Sequence, residues 1–173
     1  VIPDFSRKKK FEFIEGDIRD KGLVQKLVQE NNCVINLAAE TFVDDSITDS
    51  RVFFEVNVLG IHNLLEAARS SQIVKFIQTS TDEVWGQAMP RLFFTESTPY
   101  APRNPYAASK ASADHMVRAF GEIYGLPYNI VHFTNLYGPW QYPEKLIPKS
   151  IINLIEGRKI SIYGNGQNIR MWL

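Results

Sequence analysis

The chain is short of cysteine: Cys33 is the only one in 173 residues. A disulfide within the chain and a cysteine metal cluster are both excluded, and a reducing, cytoplasmic setting is the expectation. Charge excess of either sign is missing too, since Lys+Arg and Asp+Glu are both 19. Without a basic surplus the chain cannot neutralise a phosphate backbone or an anionic bilayer in the manner of general binders, so neither nucleic acid nor membrane is expected as a partner. No apolar run approaches the ~20 residues that span a bilayer. The opening Val1-Ile2-Pro3-Asp4 has neither the basic nor the apolar region of a signal peptide.

What is present is an ordinary globular composition, 45% hydrophobic and 22% charged, long enough for one domain. Short β-branched runs alternate with longer amphipathic ones, the pattern of βαβ units around a parallel sheet. Strands are predicted at Phe11–Ile14, Cys33–Leu37, Val74–Thr79, Tyr128–Phe133 and Lys159–Tyr163. Asp20 can cap a helix with Leu23, Val24, Leu27 and Val28 on one face. Further helices are predicted over Arg51–Ser70, with Phe53, Val56, Leu64 and Leu65 inward, over Asn104–Tyr124, and over Lys145–Glu156, which carries Ile147, Ile151 and Leu154. Right-handed crossovers would put these helices on both faces of the sheet. Gln87–Arg103, with three prolines, reads as a long loop, and the run Arg7-Lys8-Lys9-Lys10 as either a solvated loop or a phosphate contact.

Glycine is lacking where such a sheet usually has it. A doubly wound nucleotide-binding sheet opens with a strand, a Gly-rich turn and a helix, and none of the 10 glycines forms that turn. Gly164-Asn165-Gly166 lacks a third glycine and a following helix. At the other end Arg170-Met171-Trp172-Leu173 stops in mid-pattern. The expectation is therefore a Rossmann-like doubly wound parallel α/β sheet without its first strand, turn and helix. Residues 1–173 would form a partial domain, with a substrate-binding part beginning near residue 135. As given, such a piece is expected to fold poorly and to be inactive by itself.

Two segments carry candidate chemistry. In Tyr106-Ala107-Ala108-Ser109-Lys110 a phenol and an ammonium lie four residues apart, on one helix face. A free phenol has pKa ~10 and is a poor base at neutral pH, but a neighbouring cation favours the phenolate and lowers it. The alternative is a core aromatic beside a surface lysine. Thr81-Asp82-Glu83 follows the predicted strand Val74–Thr79, at the carboxyl end where parallel sheets gather ligands. Two adjacent carboxylates can titrate apart, one staying an acid and the other a base; the alternative is a turn cap, Asp82, beside a solvated Glu83. Asp17 directly follows a predicted strand, so it is either an acceptor for an adenine amine or a turn residue after Gly16.

These segments, with Gly16-Asp17-Ile18, Leu37-Ala38-Ala39-Glu40 and Asn57-Val58-x-Gly60, stand in the order that resembles the extended short-chain dehydrogenase/reductases. Asp-Glu after Ser-Thr, Tyr137-Gly138-Pro139 and Tyr142-Pro143-Glu144-Lys145-Leu146-Ile147-Pro148 look like the dTDP-glucose 4,6-dehydratase group. The resemblance implies an NAD-dependent enzyme acting on a nucleotide sugar, and a homodimer. Asp17 and Ile18 would hold the adenine, and Leu37, Ala38, Ala39, Glu40 and Thr41 would pass beneath the pyrophosphate and ribose. Tyr106 would take the proton of the sugar 4-hydroxyl, Lys110 would bond the nicotinamide ribose, and Thr81 would bond the same sugar oxygen as Tyr106. Glu83 would remove the C5 proton, and Asp82, kept protonated, would donate to the departing 6-hydroxyl.

Asn135, Lys145, Leu146, Tyr163 and Arg170 match positions that contact the nucleotide sugar. Arg170 suits a diphosphate through its planar fork or a surface salt bridge, and Lys145 the substrate or an exposed pair with Glu144. The chain departs from the usual pattern at Phe42, Val56, Trp85, Leu136 and Met171. A C4 epimerase, a decarboxylase and a non-catalytic nucleotide-sugar-binding piece are the competing readings; the epimerase needs no pair of acids.

Overall fold

Local signals start and stop most of the elements. A computed structural model describes residues 11–87, 93–162, 164–167 and 170–173; the basic run at Arg7–Lys10 lies outside them. Helix α1 (Lys21–Gln29) begins where the Asp20 carboxylate accepts from the Leu23 amide at 3.0 Å, satisfying one orphan N–H of the first turn. Strand β1 (Cys33–Asn36) and a short helix α2 (Val43–Thr48) follow. The predicted helix over 51–70 is built as α3 (Arg51–Phe54), a π-helical stretch Glu55–Gly60 and α4 (Ile61–Arg69). The π stretch has Asn57 and Gly60 on its buried side. Such π turns tend to occur at functional positions.

Strand β2 (Lys75–Thr81) runs directly into a 3₁₀ turn, Asp82–Trp85. Helix α5 (Pro105–Tyr124) is capped by the Asn104 side chain, which accepts from the Ala107 amide at 2.7 Å. Pro105 occupies its first turn, and left-handed Gly125 (φ 65°) ends it. Strand β3 (Tyr128–Phe133) and helix α6 (Leu146–Ile155) complete the elements.

The three strands form a parallel sheet in the order β1-β2-β3, with Cys33 opposite Lys75 and Phe76 opposite Tyr128. Alternation along β2 buries Phe76, Gln78 and Ser80 on one face. There Phe76 joins a single cluster with Val24 and Val28 of α1, Ile61, Leu64 and Leu65 of α4, and Ala113 and Val117 of α5. These helices therefore share one face of the sheet, and the expected distribution over both faces is not found among the described residues. The strand order explains it: crossovers of one hand that advance in one direction across a sheet stack their helices on one side. Ile35, on the other face, is 60% exposed.

Two predicted strands are absent. Phe11–Ile14 and the described part of Lys159–Tyr163 make no ladder, because a strand needs a neighbour for its backbone groups and no described residue supplies one. Helix α6 exists as predicted, but its apolar side chains are not packed inward: Ile151 and Leu154 are exposed and no residue of α6 is buried. The chain divides into two compact units. One is made of the described residues of 14–133; the other joins the described residues of 134–173 with 11–13, and in it Asn135 bridges Trp172 in parallel.

Gly86 closes the turn after β2 at φ 92°, and a Cβ there would lie 2.7 Å from the Ala101 carbonyl oxygen. Both the conformation and the space demand glycine. Gly86→Ala is expected to destabilise the protein by ~2 kcal/mol or more, measured by chemical denaturation; unchanged stability would show that the turn relaxes freely.

Candidate active site

One face of α5 lies over the carboxyl end of β2, and three side chains at successive turns meet three successive residues. The Tyr106 hydroxyl lies by the Thr81 side chain, which favours its ionised form, the Lys110 ammonium donates to the Thr79 carbonyl at 2.6 Å, and the Asp114 carboxylate accepts from the Ser80 hydroxyl at 2.6 Å. Spacing by four residues puts all three on one helix stripe. Phe53 meets the Tyr106 ring edge-on, centroids 6.5 Å apart. Lys110 is only 4% exposed, which removes the alternative of a core aromatic beside a surface lysine.

The carboxylates stand on the 3₁₀ turn. Thr81 caps it, its side-chain oxygen accepting from the Glu83 amide at 3.3 Å, so capping falls to Thr81 rather than Asp82. Glu83 is half-buried and accepts from the Asn104 side-chain amide at 2.9 Å. The same Asn104 caps α5 with its oxygen, so one residue ties the start of the tyrosine-bearing helix to Glu83. Asn-Pro before Tyr106 signals the cap in sequence; the reach to Glu83 is not legible there.

Burial sets the charges. The Tyr106 phenol is pushed up to about 12, first by loss of water and then by the charges of Glu83, Asp82 and Asp114, against the pull of the Thr81 side chain. The expectation that Lys110 lowers this phenol is not met. The ammonium is directed to the Thr79 carbonyl, and it is itself held down to about 8 by burial, with Asp114 pulling it back up.

The residues expected to hold a dinucleotide gather in the same unit of the fold. Asp17 opens a turn, its carbonyl accepting from the Asp20 amide, and its carboxylate is gripped by Arg19 at 2.7 Å. That grip holds the carboxyl below its usual range. The Ile18 side chain packs into the space above Gly60, where a Cβ would meet it at 2.6 Å, so what Ile18 can offer a ligand is backbone.

Leu37, Ala38 and Thr41 are exposed beyond β1, while Ala39 and Glu40 are half-buried. Asn57 anchors this segment: its amide oxygen accepts from the Glu40 N–H at 2.9 Å, and its nitrogen donates to the Glu40 carbonyl at 3.0 Å and to Ser109 Oγ at 2.9 Å. Ser109 in turn donates to the Tyr106 carbonyl. The exposed segment is thereby fastened to the helix of Tyr106.

The other expected contact residues belong to the second unit. Asn135 donates its amide to the Met171 carbonyl at 3.1 Å. Lys145 is half-buried and occupies the position before α6 without a side-chain cap, Leu146 begins that helix in an exposed position, and Arg170 is exposed. Tyr163 lies outside the described residues.

A parallel sheet with a Tyr and a Lys one turn apart on a helix over its carboxyl end marks the extended short-chain dehydrogenase/reductase class. Within that class residues 2–173 match the GDP-mannose 4,6 dehydratase family, to which the chain belongs. It is 47% identical over 161 residues to the low-salt glycan biosynthesis protein Agl12 of Haloferax volcanii, a match covering 93% of this chain and 52% of the relative. To the dTDP-glucose 4,6-dehydratase of Xanthomonas campestris it is 45% identical over 172 residues, covering 93% and 49%. The crystal structure of DesIV, a dTDP-glucose 4,6-dehydratase from Streptomyces venezuelae with NAD and TYD bound, has a TM-score of 0.90 at 42% identity over 94% of this chain and 50% of that one. The chain spans about half the length of the curated relatives it matches.

The depressed Lys110 value makes a stability prediction. An unfolded chain keeps this lysine protonated up to ~10.4, whereas the folded one releases the proton near 8. Between those values the unfolded state binds more protons, so stability contributed at Lys110 rises with pH. Relative to Lys110→Met, wild type should gain ~1–3 kcal/mol between pH 8 and pH 10, read from denaturation curves at each pH. A constant difference would mean that the lysine titrates normally.

Proposed function

We propose that the chain carries the catalytic centre of an NAD-dependent dehydratase that converts a nucleotide-activated hexose, of the dTDP-glucose kind, into its 4-keto-6-deoxy form. The observation that carries this reading is the pair Asp82 and Glu83 on a turn capped by Thr81, close enough to Tyr106 that both charges act on its phenol. Oxidation and re-reduction at C4 need one base; elimination across C5 and C6 needs a further base and an acid.

The chain's own groups fit a dinucleotide. The exposed end of β1 from Leu37 to Thr41 is anchored through Asn57, and the buried Lys110 ammonium stands at the end of the neighbouring strand. Leu37, Ala38, Ala39, Glu40 and Thr41 would pass under the pyrophosphate and ribose, Asp17 and the Ile18 backbone would meet the adenine, and Lys110 would bond the nicotinamide ribose. Bound there, NAD supplies a hydride acceptor at C4 and a donor at C6.

Tyr106 takes the proton of the sugar 4-hydroxyl, with Thr81 holding the same oxygen. The 4-ketone makes the C5 proton acidic; Glu83, oriented by Asn104, removes it, and Asp82 protonates the departing 6-hydroxyl. The roles are coupled. The Asp82 and Glu83 charges both raise the phenol, so a protonated Asp82, the form able to donate, removes one of the charges that oppose ionisation of Tyr106. Asn135, Lys145, Leu146, Tyr163 and Arg170 are assigned to the nucleotide sugar.

The proposal extends to a homodimer in the cytoplasm, with no nucleic-acid partner. Support for the dimer comes from apolar side chains left exposed along the helical run 51–69 and on α5, among them Leu59 and Ile123. The compartment rests on the single cysteine, unpaired and exposed. No helix among the described residues is long and apolar enough to cross a membrane.

Two substitutions in the full-length protein test the chemistry, after a panel of dTDP-, UDP- and GDP-hexoses has been assayed for the alkali-induced absorbance of a 4-keto product. Glu83→Gln should lower product formation ~10²–10⁴-fold and abolish incorporation of solvent deuterium at C5. Tyr106→Phe should fail earlier, with no oxidation at C4 and the fold intact. Wild-type deuterium incorporation in Glu83→Gln would remove Glu83 from the role of base.

A further inference from the structure

Behind the Tyr106–Lys110 pair lies a buried carboxylate that the proposed chemistry does not use. Asp114 is fully buried. Its Oδ2 accepts from Ser80 of β2 at 2.6 Å and from the Tyr100 hydroxyl at 3.0 Å, and lies 3.2 Å from His132 Nε2 of β3. Its Oδ1 is buried with no hydrogen-bond partner. An ionised group so placed is costly unless a compensating charge is near.

Two cations of α5 flank it at helical spacing. Arg118, one turn later, donates to the Tyr100 hydroxyl at 3.0 Å and lies over that ring, while Lys110, one turn earlier, shares the stripe of α5 that faces β2. His115 lies against the Tyr100 ring and Trp85 packs at a tilt on His132, centroids 4.4 Å apart, which closes the cluster. On the other side of Lys110 stand Tyr106 and, on the 3₁₀ turn, Asp82 and Glu83.

We propose that Asp114 is a positioning residue for the site: its carboxylate seats α5 on Ser80 and supplies the counter-charge against which the buried Lys110 keeps its proton. The proposal rests on the reading of Tyr106 and Lys110 as the reacting pair. Burial alone would strip the proton from Lys110, and Asp114 is the charge that opposes this. With Lys110 neutral, the ribose would lose its charged donor.

The test follows the Lys110 side chain by NMR in the full-length protein with [13C]ε-labelled lysine, the signal being assigned through Lys110→Arg. In Asp114→Asn the Lys110 midpoint should fall by about one pH unit or more. In Ser80→Ala, which removes a hydrogen bond but keeps the charge, it should stay where it is in wild type. An unchanged midpoint in Asp114→Asn overturns the proposal.

Should Asp114→Asn fail to fold, Asp114→Ser, smaller and equally uncharged, is measured in its place; an unchanged Lys110 midpoint there overturns the proposal equally. The midpoints are measured without substrate. A protein inactive on every hexose would therefore sink the dehydratase reading while leaving the Lys110 result to decide this one.

Discussion

The attachment of α5 to the end of β2 is the constraint on which the site depends. A twenty-residue helix crosses the carboxyl end of the central strand. Its contacts there are polar: a phenol on a threonine, an ammonium on a backbone carbonyl and a carboxylate on a serine. Apolar packing of Ala113 and Val117 against Phe76 holds the helix on the sheet but is indifferent to a small slide along it. Hydrogen bonds of 2.6 Å are not, because they weaken steeply with distance and angle. The polar ladder therefore fixes the register in which Tyr106 reaches Thr81.

The same burial that gives precision makes the site electrostatically expensive. Tyr106 resists ionisation and Lys110 resists protonation, both because water has been removed. Enzymes commonly arrange such opposed environments where a proton must move. In this chain the charges of the turn, Glu83 and Asp82, add to burial in raising the phenol, and no cation among the described residues offsets them there.

Two asparagines carry the connection from this ladder to its surroundings. Asn104 joins the start of α5 to Glu83, and Asn57, on the inner side of the π stretch, joins the segment after β1 to Ser109. Amides suit these places because each offers both donors and an acceptor and stays neutral at any working pH. Trp85, where the resemblance leads one to expect tyrosine, packs behind the turn on His132 and Phe94 and donates to the Thr98 carbonyl. It therefore supports the turn from behind.

Helix limits, the three paired strands and the candidate reacting residues were legible in the sequence because their signals are local. A cap is decided within three residues, as at Asp20 and Asn104, a glycine stop by one dihedral angle, as at Gly125, and a shared helix face by a spacing of four, as for Tyr106 and Lys110. The segments at 11–14 and 159–163 looked equally strand-like, yet pairing depends on a neighbour that composition cannot supply. Tertiary structure alone decided the partners and the charges. Lys110 and Thr79 are 31 residues apart, Ser80 and Asp114 are 34, and Asn57 and Ser109 are 52. No periodicity encodes such meetings. A pKa set by lost hydration exists only once the chain has closed over the group, which is why Tyr106 read as an activated base in the sequence and stands in the fold as a half-buried, reluctant acid.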